Sequence, residues 1–301
     1  MPGSVAAPAR ADRRHAANPP HRFRLRRTAA VAVALAVLLA GPAAAAPPDP
    51  LRPLLTRARA AVREHPDMWT GASVVRGERV VVVGSPGSLV AGIAALAGEA
   101  DRTVTRVWGG HGRGHEGAVV LVPRTEEQAA VLASPAKVDD LAAVATAGRV
   151  IVQPAAFARL TATGRLVVVT HELTHVATAG PRAVPMWLME GFADYVGYLD
   201  SGLPVRTIAA ELAADVAAGK AALHGLPGPA DFAARPAQAY EEAWLACRYI
   251  AVRFGERSLV ALYRAASREE IGAALREVLG LTAEGLTREW RTYTREQLAP
   301  S

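Results

Sequence analysis

Apolar residues follow two different spacings along this chain, and each spacing predicts a different kind of element. Short apolar runs bounded by turn residues are typical of strands, whereas apolar residues three and four positions apart are typical of helices. Before residue 154 these patterns predict, in order, a helix at 54–65, a hairpin at 72–84 with its turn at 76–79, a helix at 89–108, a strand at 118–122, a helix at 125–133 and a strand at 149–153. The first half of the chain is therefore predicted to mix α and β structure.

The pattern changes near residue 160, because almost every later apolar position recurs at helical spacing. Glycine and proline interrupt the helical pattern at 180–181, 202–204, 224–231, Gly255 and Gly280. We therefore predict an α+β fold. It has a mixed α/β lobe at residues 47–165 and a helical lobe at 166–301, with an active-site cleft between the two lobes.

Residues 1–46 have the three parts of a secretory signal peptide. Four arginines at positions 22–27 precede an uncharged apolar stretch at 28–40, and small residues suited to cleavage follow. That stretch is too short to cross a bilayer, which takes about 20 residues. We predict an exported protein, cleaved after Ala44 or Ala45. The alternative is an uncleaved N-terminal anchor.

Removal of this segment changes the charge balance of the protein. The whole chain has 34 basic and 28 acidic residues, a formal net charge of +6. Residues 1–46 contain seven of the basic and one of the acidic residues, so 27 of each remain and the net charge becomes zero. Nucleic-acid binding requires a basic surface. We therefore predict no nucleic-acid partner, and no stable membrane association after signal cleavage.

Cys247 is the only cysteine, so the chain cannot form an internal disulfide and must be held together by its core. The roughly 255 residues that follow the signal segment are enough to bury such a core. We predict a monomer in which Cys247 is a small, buried apolar residue.

His171 and His175 lie four residues apart in the segment VVVTHELTHVAT, which runs from Val167 to Thr178. On a helix, such residues project from one face about 6 Å apart, so both imidazoles can bind one zinc ion. Glu172 points to the neighbouring side, where its carboxylate can act on an activated water molecule. The pattern indicates metal-assisted hydrolysis.

A chance occurrence is the alternative interpretation of this pattern. A chain with this composition would contain an HExxH sequence about 0.01 times by chance, which leaves a small risk of a false positive. The flanking residues Val168, Val169 and Leu173 are apolar and predict a buried helix. Two imidazoles and a carboxylate buried there without partners would be costly, which favours a metal.

A third ligand is predicted in the segment PMWLMEGFADYV, where Pro185 suits the first turn of a helix. Glu190 and Asp194 are four residues apart and share one face of that helix. Glu190 would complete a His₂Glu zinc site with an open fourth position, and Asp194 would accept a hydrogen bond from a ligand histidine. The alternative is a solvated acidic face, but the apolar and aromatic neighbours favour a buried helix.

The segments HELTH and WLMEGFADY together resemble the gluzincin metallopeptidases, in particular the peptidase MA-like group that includes thermolysin and the aminopeptidase N type. The resemblance is strongest over residues 149–198. It implies a zincin-like fold with Zn²⁺ as cofactor. His171, His175 and Glu190 would then be the metal ligands, and Glu172 the general base.

The same resemblance assigns two further features near the site. Tyr240, near the start of the helical segment AYEEAWLACRYIAVRFG, would donate a hydrogen bond to the oxyanion. The strand RVIVQ at 149–153 would be the edge strand that pairs with an extended peptide substrate. For Tyr240 the alternative is a packing role at the start of a helix, and His224 in a predicted loop is the alternative oxyanion donor.

His111 and His115 are also four residues apart, but they lie in the glycine-rich segment GGHGRGHEG. Glycine disfavours a helix that would align them on one face. We predict an exposed loop, with a substrate flap or a second metal site as the alternative.

These observations predict an exported zinc metallopeptidase that hydrolyses a peptide or protein substrate. A zinc hydrolase of a non-peptide amide or ester is the alternative among enzymes. A catalytically silent zinc-binding module of the same fold is the alternative from another class. The presence of Glu172 argues against a silent module, because metal binding alone does not require a base.

Overall fold

The computed structural model describes residues 49–84, 87–109, 116–134, 136, 141–146, 148–180, 184–221 and 223–299. The predicted signal peptide and the loop histidines His111 and His115 lie outside these ranges. The described residues from Pro50 onward belong to one compact unit. Within the described ranges, no helix combines the length and the apolar character that crossing a membrane requires.

Within the described residues, five strands form one mixed sheet in the order β1-β2-β3-β5-β4. The strands are β1 Ser73–Arg76, β2 Val80–Gly84, β3 Ala118–Val122, β4 Ala143–Thr146 and β5 Arg149–Val152. β2, β3 and β5 are parallel, while β1 and β4 are antiparallel to their neighbours and form the two edges. Parallel strands covered on both faces consist of near-continuous apolar runs, which explains the valine-rich sequences of β2 and β3.

The prediction that residues 149–153 form the edge strand is wrong. β5 lies between β3 and β4, so both sides of its backbone are already paired within the sheet. The edge belongs instead to β4, the segment AVAT, which the sequence pattern did not predict. Alanine is depleted in strands, so a four-residue segment with two alanines gives little β signal.

α-Helices cover the sheet and make up most of the rest of the described chain. They are α1 Arg52–Glu64, α2 Gly87–Trp108, α3 Glu126–Ala133, α4 Pro154–Arg159, α5 Ala162–Thr178, α6 Met186–Tyr198, α7 Val205–Ile208, α8 Ala210–Ala217, α9 Pro229–Ala234, α10 Pro236–Phe254, α11 Glu256–Ala266, α12 Ile271–Leu279 and α13 Ala283–Leu298. The predicted breaks at Gly180, 202–204, Gly255 and Gly280 fall outside these helices, whereas the break predicted at 224–231 overlaps the first three residues of α9. Gly255 separates α10 from α11, and Gly280 follows α12, both with the positive φ that glycine adopts without strain.

The two faces of the sheet belong to different parts of the core. Val82 and Val120 pack in a large core that includes residues of α2, α5, α6 and α10. Val81 and Leu121 point to the opposite face and pack with residues of α1 and α3. This alternation follows from the two-residue period of a strand. The described chain is therefore mixed α and β, as predicted, with a sheet that is covered by helices on both faces.

The helix with the sequence HELTH, α5, lies on the side of the larger core. It contacts α2, α6 and the edge strand β4, and α6 in turn contacts α10. Side chains that project from α5 towards α6 are therefore enclosed on several sides. This arrangement places the candidate site between α5 and α6, next to the edge of the sheet.

Candidate metal centre

The helix α5 is fixed at its start and buried along its middle. The N–H group of Gly164 donates a hydrogen bond to Oγ1 of Thr161, 3.0 Å away, and so satisfies one of the free N–H groups at the helix start. All side chains from Val167 to Thr174 are buried. The valines in this stretch are modest helix formers, so packing rather than intrinsic propensity stabilises the helix here. The prediction of a buried helix is confirmed.

Two glycines allow α6 to approach both of its neighbours closely. A Cβ atom on Gly191 would lie 2.2 Å from the carbonyl oxygen of Ala243 in α10, a distance that would force the helices apart. A Cβ atom on Gly197 would lie 3.1 Å from the carbonyl oxygen of Val167 in α5. Gly191 directly follows Glu190 in the chain. The close packing of α6 on α10 therefore sets the position of the Glu190 carboxylate.

His171, His175 and Glu190 bring three ligand atoms together. The Nε2 atoms of the two histidines are 2.9 Å apart, and Oε2 of Glu190 lies 3.4 Å from Nε2 of His171 and 3.5 Å from Nε2 of His175. Atoms that bind a tetrahedral zinc ion at about 2.0–2.1 Å lie roughly 3.3 Å from one another. The observed separations therefore fit one shared ion, and within the described ranges these three residues form the group with metal-ligand geometry.

Asp194 holds one of the two imidazoles in place. Its Oδ1 atom lies 2.7 Å from Nδ1 of His171, and the carboxylate is buried with 5 % of its surface exposed. Because a carboxylate accepts the hydrogen bond, Nδ1 carries the proton of the neutral imidazole, and Nε2 of that tautomer has a lone pair that can bind a metal. The contact that the sequence predicted between Asp194 and a ligand histidine is present in the structure. A solvated acidic face is excluded, because Glu190 is also fully buried.

The charges of this cluster favour a cation among the ligand atoms. Burial lowers the pKa of His171, but the carboxylates of Asp194, Glu190 and Glu172 outweigh burial and raise this pKa well above its usual value. Burial raises the pKa of Glu190, but the imidazoles of His175 and His171 outweigh it and hold this pKa far below its usual value. A positive charge between these groups, whether a proton or a metal ion, is therefore stabilised by its surroundings.

Glu172 lies beside the ligand group and is fully buried. Its Oε2 atom accepts a hydrogen bond of 2.6 Å from the backbone N–H of Ala145 in β4. Its Oε1 atom is buried without a hydrogen-bond partner among the described residues. Burial raises the pKa of Glu172 to about 7, although both imidazoles act in the opposite direction. A carboxylate with one held oxygen, one unpartnered oxygen and a pKa near neutrality is suited to general base catalysis.

The cluster reaches solvent at His175. The side chain of His175 is 12 % exposed, whereas those of His171 and Glu190 are 0 % and 1 % exposed. A molecule that approaches the ligand group from solvent would therefore meet His175 first.

Tyr240 and His224, the two candidates for the oxyanion donor, lie in different surroundings. Tyr240 is buried in α10, and its ring meets the ring of Phe232 edge-on with 4.9 Å between centroids. His224 lines a pocket of about 460 Å³ together with Arg235 and Glu242. The packing contact of Tyr240 is thus visible in the structure. The role of its hydroxyl group in oxyanion stabilisation stays a prediction.

Ala145 is the site residue that sequence reasoning missed. It contributes a backbone N–H, which every residue except proline has, so no side-chain pattern can reveal this role. Only the position of β4 at the edge of the sheet would have indicated that a backbone N–H of this strand can reach Glu172. The importance of Gly191 was also missed, because it depends on the distance between two helices that are far apart in sequence.

Comparisons with protein-family models and with curated proteins found no match for this chain. The interpretation of the site therefore rests on its residues and their geometry.

Proposed function

We propose that this protein is an exported zinc metallopeptidase of the gluzincin type. His171, His175 and Glu190 would hold the zinc ion, and Glu172 would be the general base. The observation that carries the proposal is the convergence of three ligand atoms at separations of 2.9 to 3.5 Å, next to a buried carboxylate whose Oε1 has no hydrogen-bond partner among the described residues. These separations match those expected around one tetrahedral zinc ion.

Each side chain of the site has a defined task in this proposal. When bound, zinc makes a water molecule more acidic and polarises a carbonyl group. Glu172 takes a proton from the attacking water and passes it to the leaving amine. Asp194 keeps His171 in the tautomer that binds metal through Nε2. Tyr240, assigned by resemblance, would donate a hydrogen bond to the oxyanion.

A peptide is favoured as substrate because of the strand next to the base. β4 is an edge strand, and its Ala145 contacts Glu172 directly. An extended peptide can add to the edge of a sheet through backbone hydrogen bonds, whereas a small ester or amide gains little from such an edge. A scissile bond that enters along β4 would come close to the general base.

A digest of a peptide library by the zinc-loaded mature protein, analysed by mass spectrometry, tests this proposal. Non-peptide amides and esters are assayed in parallel, and Glu172→Gln is the matched control because it keeps the size of the side chain but cannot accept the proton. We expect peptide cleavage by the wild-type protein and none by the variant. Hydrolysis of only esters or non-peptide amides would move the protein to the alternative enzyme class. Zinc binding without any hydrolysis would indicate a silent module.

A further inference from the structure

The backbone of β4 presents two of its N–H groups away from the sheet. The N–H of Gln153 donates to the carbonyl of Ala142 at 2.9 Å, and the same antiparallel register pairs Ala143 with Val152 and Ala145 with Val150. Residues in an antiparallel pair alternate between those that bond across the ladder and those that do not. The N–H groups of Ala143 and Ala145 therefore point outward from the edge of the sheet.

One of these two outward N–H groups has an acceptor in α5. The N–H of Ala145 donates to Oε2 of Glu172, 2.6 Å away. Ala143 lies two residues earlier on the same edge and has no such bond to Glu172. The two alanines thus differ in this contact although they share strand, side chain and orientation, and Ala143 is the more deeply buried of the two.

The contact restricts a side chain that would otherwise have several rotamers. A glutamate has three rotatable side-chain bonds, and catalysis requires its reactive oxygen to be held within a fraction of an ångström. The bond from Ala145 fixes Oε2 of Glu172 and leaves Oε1, which has no partner among the described residues, as the oxygen that can accept a proton. A fixed Oε2 therefore selects which oxygen performs the chemistry.

We propose that the backbone N–H of Ala145 is a positioning group for the general base Glu172. The contact itself follows from the edge register and does not depend on any activity. Its catalytic consequence rests on the proposed metallopeptidase function, because only a proton transfer through Glu172 makes the orientation of its carboxylate matter.

The catalytic consequence is tested by removing one N–H group and nothing else. L-lactic acid in place of alanine at position 145, introduced by nonsense suppression in cell-free synthesis, replaces the N–H by an ester oxygen and keeps the methyl group. The same exchange at position 143 is the matched control. We expect the ester at 145 to lower kcat about 10- to 100-fold, the size of one hydrogen bond to a charged group. KM and zinc content should change less than about twofold, since a positioning group acts on the chemical step. Equal kcat values for the two esters would overturn the proposal.

Amide hydrogen exchange tests the contact without any need for activity. We expect the amide proton of Ala145 to exchange at least about tenfold more slowly in the wild-type protein than in Glu172→Ala, because the variant lacks the acceptor of its hydrogen bond. Ala143, which is buried and does not bond to Glu172, is the internal control, and its exchange should change less than about twofold. Equal exchange of the Ala145 amide in the two proteins would overturn the proposal. If the wild-type protein hydrolyses nothing, the proposed function fails, while this comparison still decides the contact.

Discussion

Two clusters of charged side chains lie on the helical half of the protein, one around Arg235 and one around His171. In the Arg235 cluster, the guanidinium group donates to both carboxylate oxygens of Glu242, at 2.7 and 3.0 Å, and to Asp231 at 2.9 Å. The side chain of Glu242 is only 2 % exposed. A planar guanidinium group matches carboxylates in this two-pronged manner, so the chain supplies its own cation here.

The cluster around His171 is built differently. The ion pairs that the structure describes for Glu190 and Asp194 run to imidazoles, and the ligand atoms converge within 4.8 Å of one another. An imidazole is a cation only when protonated, and a neutral imidazole is a metal ligand. Buried charge alone therefore does not identify a metal centre. The distinguishing features are the convergence of ligand atoms and the use of groups that can lose their protons.

The largest expected effect is a loss of kcat that a substitution beside His171 should cause and a substitution in the Arg235 cluster should not. Glu172→Gln should lower kcat by about 10²- to 10⁴-fold and retain zinc, because an amide cannot take a proton from water. Glu242→Gln makes the same chemical change in the Arg235 cluster and should leave kcat within about twofold of wild type. Initial rates on a cleaved peptide, together with elemental analysis, measure both variants. Wild-type turnover by Glu172→Gln would remove Glu172 from its role.

The second effect tests whether Tyr240 is the oxyanion donor. Tyr240→Phe removes only a hydroxyl group and should lower kcat about 100-fold, because its hydrogen bond forms fully as charge develops on the oxygen. KM and zinc content should change little. Tyr249→Phe is the control, because the hydroxyl group of Tyr249 donates its hydrogen bond to Glu289 and is not a candidate oxyanion donor. An unchanged kcat for Tyr240→Phe would leave Tyr240 a packing residue and direct attention to His224.

A smaller effect concerns the affinity of the site for its metal. Asp194→Asn should weaken zinc binding about 10- to 100-fold without unfolding the chain, because the imidazole of His171 loses the carboxylate that orients it. Asp231→Asn, in the Arg235 cluster, should leave zinc affinity unchanged. Competition titration with a chelator of known affinity gives both values. Equal affinities for wild type and Asp194→Asn would make Asp194 a structural residue only.

The Arg235 cluster is expected to affect stability instead of chemistry. Glu242→Gln removes the charge that Arg235 bonds and should lower the free energy of unfolding by about 1–3 kcal/mol. Urea denaturation monitored by circular dichroism measures this change. A loss of zinc or activity in this variant at a temperature where it is fully folded would show that the two clusters are coupled.

The sequence predicted the parts of the site that depend on short spacings. His171 and His175 are four residues apart on one helix, and so are Glu190 and Asp194, so helix geometry alone places each pair on one face. The same reasoning could not find Ala145, because its role depends on which strand lies at the edge of the sheet. RVIVQ has the stronger β pattern, yet it is an interior strand, and the weak pattern of AVAT forms the edge. Strand order follows from packing between distant segments, which local patterns do not contain.

The Arg235 cluster shows a second limit of sequence reasoning. Asp231 lies in α9, and Arg235, four residues later, is the residue that follows this helix. Glu242 lies two turns into α10. A charged residue near a helix boundary is usually a solvated one, so the sequence gives no reason to expect that Glu242 is buried. Arg235 joins α9 directly to α10, and in the folded chain its guanidinium group bonds to both Asp231 and Glu242.

The zinc content of the mature protein, purified without chelator, decides whether His171, His175 and Glu190 form a metal site. Elemental analysis should give about one zinc per chain, because three ligands with an open position form one site. Glu190→Ala and His175→Ala should each lose most of this metal, whereas Glu242→Gln should keep it. A wild-type protein that contains no metal and takes up none when zinc is added would show that these three residues do not form a zinc site.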